Sequence, residues 1–164
     1  MNTLRWTTAD AEQTRNVGAQ LATLLQAGDV VVLAGEVGAG KTTLTQGLGA
    51  GLGVRGPITS PTFVVARRHP SLVGGPELVH VDAYRIDGTL DLDDLDLDAD
   101  VATAVTVIEW GHGLAEVLAD DVVEVSVRRP LGAAEGEARE IEAQFVGAGW
   151  ADRLADLRLS DDDA

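Results

Sequence analysis

The 164 residues suffice for one domain with a core of ordinary size. A composition of 45% hydrophobic and 24% charged residues excludes a disordered tail, and the absence of cysteine excludes disulfides and thiolate-bound zinc or iron–sulfur centres. The net charge of −15 is uneven: residues 1–86 carry seven basic and six acidic side chains, residues 87–164 five basic and twenty-one acidic. An acidic surface repels phosphate backbones, so tight binding of DNA or RNA by this chain alone is not expected. The near-neutral half tolerates an anionic ligand, and it contains the single lysine, Lys41.

The opening segment "MNTLRWTTADAEQ" lacks the apolar stretch of a secretory signal, and no apolar run approaches the roughly 20 residues needed to span a bilayer. A cytoplasmic protein with no membrane contact is the expectation. Residues 8–26 are predicted to form an amphipathic helix with Val17, Leu21, Leu24 and Leu25 on one face and a threonine or aspartate capping its start. "GDVVVLAG" is a β-branched run bounded by glycines, hence a buried strand. "KTTLTQGLGAGLG" then forms a helix that ends in glycines.

"TFVVARRH" and "ELVHVDAYR" read as strands on either side of the loop "PSLVGGP". The acidic stretch "DGTLDLDDLDLDAD" lacks the glycine and glutamate that a calcium loop needs at its sixth and twelfth positions, and it reads as a solvated helix with Leu92 and Leu95 inward. "AVTVIE" is a strongly apolar strand, followed by a short helix, "GLAEVLAD". "DVVEVSVRR" and "REIEAQFV" alternate apolar and polar residues, as half-solvated antiparallel strands do. No linker divides the chain, and residues 155–164 form a loose tail. The fold class expected is one α/β domain: a partly parallel sheet flanked by helices, with antiparallel strands at the edge.

Gly35, Gly40, Lys41 and Thr42 fit the spacing G-x-x-x-x-G-K-[ST] of a P-loop. Gly38 and Gly40, without Cβ atoms, let the backbone curl so that its N–H groups, with Ala39 between them, face phosphate oxygens. The helix starting near Thr42 and Thr43 adds the positive end of its dipole. Lys41 supplies a compact ammonium where the planar fork of arginine would not fit, and the Thr42 hydroxyl is placed to ligate Mg²⁺. Phosphoryl chemistry also needs carboxylates, and ligands of open α/β sheets bind at the carboxyl ends of strands. Asp82 and Glu109 each end an apolar strand and are candidates for the metal shell or for positioning water.

The loop "TSPTF", residues 59–63, has two readings: a plain entry into a strand, or a switch segment whose Thr62 or Ser60 hydroxyl senses a γ-phosphate. His80, between valines, reads as a packed or hydrogen-bonded side chain, not a metal ligand. Arg67, Arg68 and His69 read as a solvated strand end, and Trp6 and Trp150 as packing residues near the chain ends.

"GEVGAGKTTL", "SPTF", "HVDAYR" and "VIEW", in this order and at this chain length, resemble the bacterial tRNA threonylcarbamoyladenosine biosynthesis ATPases, the TsaE or YjeE family. The resemblance runs from about residue 8 to residue 145. It implies an enzyme that binds and hydrolyses Mg-ATP to support modification of an adenosine beside the anticodon. It also implies partners, a threonylcarbamoyl transferase and its inactive paralogue, with tRNA involved indirectly. Carried onto this chain, residues 38–43 wrap the phosphates, Thr42 and Glu109 hold Mg²⁺, Thr62 and Asp82 lie around the γ-phosphate, and Trp110 shapes the pocket or a partner surface.

Two other classes share the motif. A small-molecule kinase would carry an arginine-rich lid, and no lid-sized insertion is visible. A nucleotide-gated binding module would bind ATP with little hydrolysis. A GTP switch is disfavoured because its base-reading motif needs a second lysine.

Overall fold

The computed structural model describes residues 2–35, 40–54, 56, 58, 66–82, 103–109, 121–130 and 138–154. Within them the elements are β1 (Asn2–Thr8), α1 (Ala11–Ala22), β2 (Val30–Ala34), α2 (Lys41–Leu52), β3 (Ala66–His69), β4 (Glu77–Asp82), β5 (Ala104–Glu109), β6 (Val122–Arg128) and β7 (Arg139–Val146). A helical turn at 150–154 follows β7. The "GLAEVLAD" helix, the acidic stretch after Asp82 and the tail from residue 155 lie outside the described residues.

The strands form one sheet in the order β1-β7-β6-β2-β5-β4-β3. β6, β2, β5 and β4 are mutually parallel, whereas β1 on β7, β7 on β6 and β3 on β4 are antiparallel. The mixed α/β sheet with antiparallel edges is the expected one, with two corrections. The "NTLRWTT" segment, read as a polar start, is strand β1 and pairs along its length with β7, so the first helix begins only at Ala11. β6, expected to be wholly antiparallel, lies parallel to β2 on one side and antiparallel to β7 on the other. Its side chains alternate because half of them enter the core, a pattern that does not encode strand direction.

The strand register sorts the core into two faces. On one, Val31 and Leu33 are level with Val107 and Glu109 of β5 and with Val123 and Val125 of β6, and these valines and Leu33 pack with Val17, Leu21, Leu44 and Leu48 of the two helices. Leu4 and Trp6 of β1 extend the same cluster. On the other face Val30, Val32, Val79, Val81, Thr106 and Ile108 are also buried. Burial on both sides explains why β2 and β5 read as continuous apolar runs.

Local signals fix the helix ends. The Asp10 carboxylate accepts from the Gln13 amide at 2.8 Å, and the Gln13 side chain accepts from the Ala9 amide at 2.7 Å, so two otherwise orphaned donors are satisfied. Leu24 and Leu25, expected on the helix, are buried just beyond its end.

Asp29, 4% exposed, accepts from the Gln26 amide at 2.6 Å and from Arg153 Nη1 at 2.6 Å. Arg153 also donates to the Leu24 carbonyl at 3.1 Å and lies 4.5 Å from the centre of the Trp150 ring, which is fully buried against Phe145. This cluster ties the helical turn after β7 to the loop that feeds β2. Arg153→Ala leaves the Asp29 charge buried without its cation, and such losses cost about 3–5 kcal/mol. Urea unfolding followed by circular dichroism should show that loss in the stability of the whole domain.

On the outer face of the β1–β7–β6 sheet, Arg5 and Arg128 pair with Glu142 and Glu140, both at 2.8 Å. The hydrogen bond from Arg5 holds the Glu142 carboxyl below the usual carboxylate range against the opposing effect of desolvation, with the charge of Arg5, a hydrogen bond from Gln144 and the charge of Arg128 adding to it. The attendant stabilisation is present above the ordinary glutamate pKa and fades as pH falls through the lowered one. Solvent screening keeps it small.

Candidate functional site

The carboxyl ends of β2, β5 and β4 lie side by side, with Leu33 level with Glu109 and Glu109 level with Asp82. Chain leaving β2 passes Gly35 and returns at Gly40, which caps α2 with φ 109° and ψ 16°. That left-handed conformation is one that residues with a Cβ adopt only at a cost. The N-cap of α2 is this glycine, which has no side chain to accept from the helix's first amides, in contrast to Asp10 on α1. An anion is the ligand such a helix start favours.

Lys41 is the first residue of α2 and is buried, at 8% relative exposure. Its ammonium and the positive end of the α2 dipole lie at the same helix start, a charge arrangement suited to an anion. Thr42 and Thr43 follow in the first turn and are half-buried. The Thr45 hydroxyl donates to the Lys41 carbonyl at 2.8 Å and Leu44 N–H to the Gly40 carbonyl at 3.0 Å, which anchors this first turn.

Glu109 is 5% exposed, on the sheet face that α1 and α2 cover. His80, fully buried on β4, brings its Nε2 to 3.4 Å from Glu109 Oε2. Asp82 is placed by its backbone at the same level of the sheet as Glu109. Glu109 and Asp82 thus end neighbouring strands beside the end of β2, the strand that leads into the helix start of Gly40, Lys41, Thr42 and Thr43. Gly38, Ala39, Thr62 and Trp110 lie outside the described residues.

Two neighbours were not anticipated. His80, read as packed or hydrogen-bonded with no partner named, faces a candidate catalytic carboxylate; its position two residues before Asp82 on a strand adjacent to "VIE" is the signal. Arg139, at the start of β7, has its Nε 3.5 Å from where a Cβ on Gly40 would stand, beside Val127. Only the antiparallel return of β7 along β6 brings it there, and nothing local to its sequence announces that. Arg67 and Arg68 are exposed as expected, Arg68 pairing with Glu77 at 3.3 Å, but His69 is buried, at 7% exposure.

The residues fit a magnesium–nucleotide complex. Among the described residues no three acidic or histidine side chains gather into a cage for a metal by themselves. Magnesium bound together with phosphates needs only one or two protein ligands, and a hydroxyl on the first helical turn and a carboxylate at a strand end meet that need.

A family model described as "Threonylcarbamoyl adenosine biosynthesis protein TsaE" matches residues 8–140. The chain belongs to the TsaE family. The tRNA threonylcarbamoyladenosine biosynthesis protein TsaE of Streptomyces coelicolor is 55% identical over 138 residues, 84% of this chain and 93% of that protein. The protein of the same name from Bacillus subtilis is 34% identical over 148 residues, covering 90% and 89%. A crystal structure of Bacillus subtilis YdiB superposes with a TM-score of 0.74 at 28% identity, covering 98% of this chain and 97% of that one. The TsaE assignment places the chain in threonylcarbamoyladenosine biosynthesis, a tRNA modification. Among the described residues no helix is long and apolar enough to cross a membrane.

Proposed function

We propose that this TsaE-family chain binds Mg-ATP at the start of α2 and hydrolyses it, acting on a threonylcarbamoyl transferase and its inactive paralogue in the cytoplasm, with tRNA engaged through that complex. The observation that carries the reading is the buried Lys41 at an uncapped helix start, on the sheet face and at the strand ends that hold the buried Glu109. A triphosphate with its bound cation matches both groups at once.

In this mechanism the amides around Gly40 and the Lys41 ammonium hold the β- and γ-phosphates and stabilise charge that builds as the terminal bond breaks. Thr42 and Glu109 would hold magnesium, which would supply positive charge to offset that of the phosphates. Glu109 and Asp82 are the carboxylates available to orient the attacking water, and Thr62 is the candidate to sense the γ-phosphate. Water adds to the γ-phosphorus, the bond to the β-phosphate oxygen breaks, and ADP leaves with inorganic phosphate.

Glu109→Gln is expected to lower phosphate release at least about 100-fold, as loss of a group acting in the transition state does, while ATP affinity changes little. Release assays paired with calorimetry check it. Equal turnover by the variant and wild type would reduce the chain to a nucleotide-gated binding module, and labelled phosphate appearing in a small-molecule acceptor would make it a kinase. Adding the transferase pair should raise turnover, since groups supplied by a partner accelerate P-loop hydrolysis by ~10³–10⁵ in other systems. Turnover insensitive to the pair would separate the hydrolysis from that complex.

A further inference from the structure

We propose that His80 is a positioning residue for Glu109: the neutral imidazole donates Nε2–H to the carboxylate and fixes its rotamer at the end of β5. The inference rests on the reading of Glu109 as part of the hydrolytic site. His80 is fully buried, and its Nε2 lies 3.4 Å from Glu109 Oε2. Neither ring nitrogen of His80 has a hydrogen-bond partner among the described residues. Its register partners are Val107 on β5 and Arg67 on β3.

The chemistry selects one arrangement. An ionised carboxylate only accepts hydrogen bonds, and a neutral imidazole has one donor and one acceptor. A buried donor without a partner is the costlier fault, so the proton belongs on Nε2, facing Glu109, and Nδ1 is left as the acceptor. The separation of 3.4 Å is slightly longer than a well-formed N–H···O bond. Such contacts in substrate-free sites are often loose and tighten when the complex assembles. Register explains how the pair arises: Asp82 is level with Glu109, so His80, two residues earlier, stands diagonal to it on the adjacent parallel strand. One oxygen held by the histidine leaves the other directed by it, which is how second partners orient metal-binding and catalytic carboxylates.

The test uses the full chain with Mg-ATP. His80→Leu removes the donor at similar volume, and His80→Gln restores an N–H of similar reach. His80→Leu is expected to lower kcat about 10-fold with KM for ATP within twofold, and His80→Gln to recover most of that loss. In a Glu109→Gln background, His80→Leu should change kcat by less than twofold; losses that simply multiply would overturn the inference. Long-range ¹H–¹⁵N spectra of the wild-type histidines read the tautomer directly, even where a variant fails to fold. An Nε2-protonated His80 supports the proposal, and an Nδ1-protonated ring overturns it. If Glu109→Gln turns over like wild type, the hydrolytic reading of Glu109 fails instead, whatever the tautomer.

Discussion

Lys41→Ala is expected to weaken ATP binding about 100-fold while the domain stays folded. The estimate follows from losing about 3 kcal/mol of charge-assisted hydrogen bonding to two phosphates. Folding should survive because alanine is the better helix former and carries none of the desolvation cost of a buried ammonium. Calorimetric titration with Mg-ATP, beside a thermal melt of the same sample, separates the two effects. Lys41→Arg is a sharper control: the charge is kept, but a planar guanidinium replaces a compact ammonium at a site only 8% exposed. Affinity should fall there too. Unchanged binding in both variants would remove Lys41 from the site.

The second large effect is expected from a methyl group placed well away from the phosphates. Gly47, near the middle of α2, lies so close to α1 that an added Cβ would overlap the Arg15 carbonyl and the backbone beside it. The two helices cover the same sheet face, so Gly47→Ala must push α2 off its seat on Leu33 and Val107 or move α1. Overpacking of this kind costs about 3 kcal/mol, which lowers the melting temperature by roughly 10 °C in a domain of this size. Nucleotide affinity should fall with it, because Lys41 begins the helix that is displaced. Gly75→Ala is the matched control. A methyl there meets only the Ser71 hydroxyl at 3.8 Å and Val73 at 4.0 Å, so stability should stay within about 0.5 kcal/mol. A Gly47→Ala melt equal to wild type would contradict the packing account.

Local chemistry made most of the site legible in advance. The glycine–lysine–threonine spacing predicts an anion cradle between a buried strand and a helix, and the apolar run "VVVL" identifies that strand as central. Glu109 stood out because it closes the more completely apolar of the two strands that end in a carboxylate. Direction and pairing were less legible. β1 alternates Leu4 and Trp6 with polar residues, but its partner β7 begins more than 130 positions later, and local sequence gives no hint of it. For the same reason Arg139 was invisible beside Gly40. His80 was recognised as packed but not as a neighbour of Glu109, since that contact depends on the register between two strands far apart in the chain.

The account stands on a triphosphate and its magnesium occupying the turn between β2 and α2. A crystal structure with a non-hydrolysable ATP analogue and Mg²⁺ tests that most directly. The expected map shows the β- and γ-phosphates at the start of α2 within hydrogen-bond reach of Lys41 Nζ, with the cation between the Thr42 hydroxyl and Glu109. A nucleotide bound elsewhere, or a filled cradle with Glu109 turned away from the cation, would contradict it.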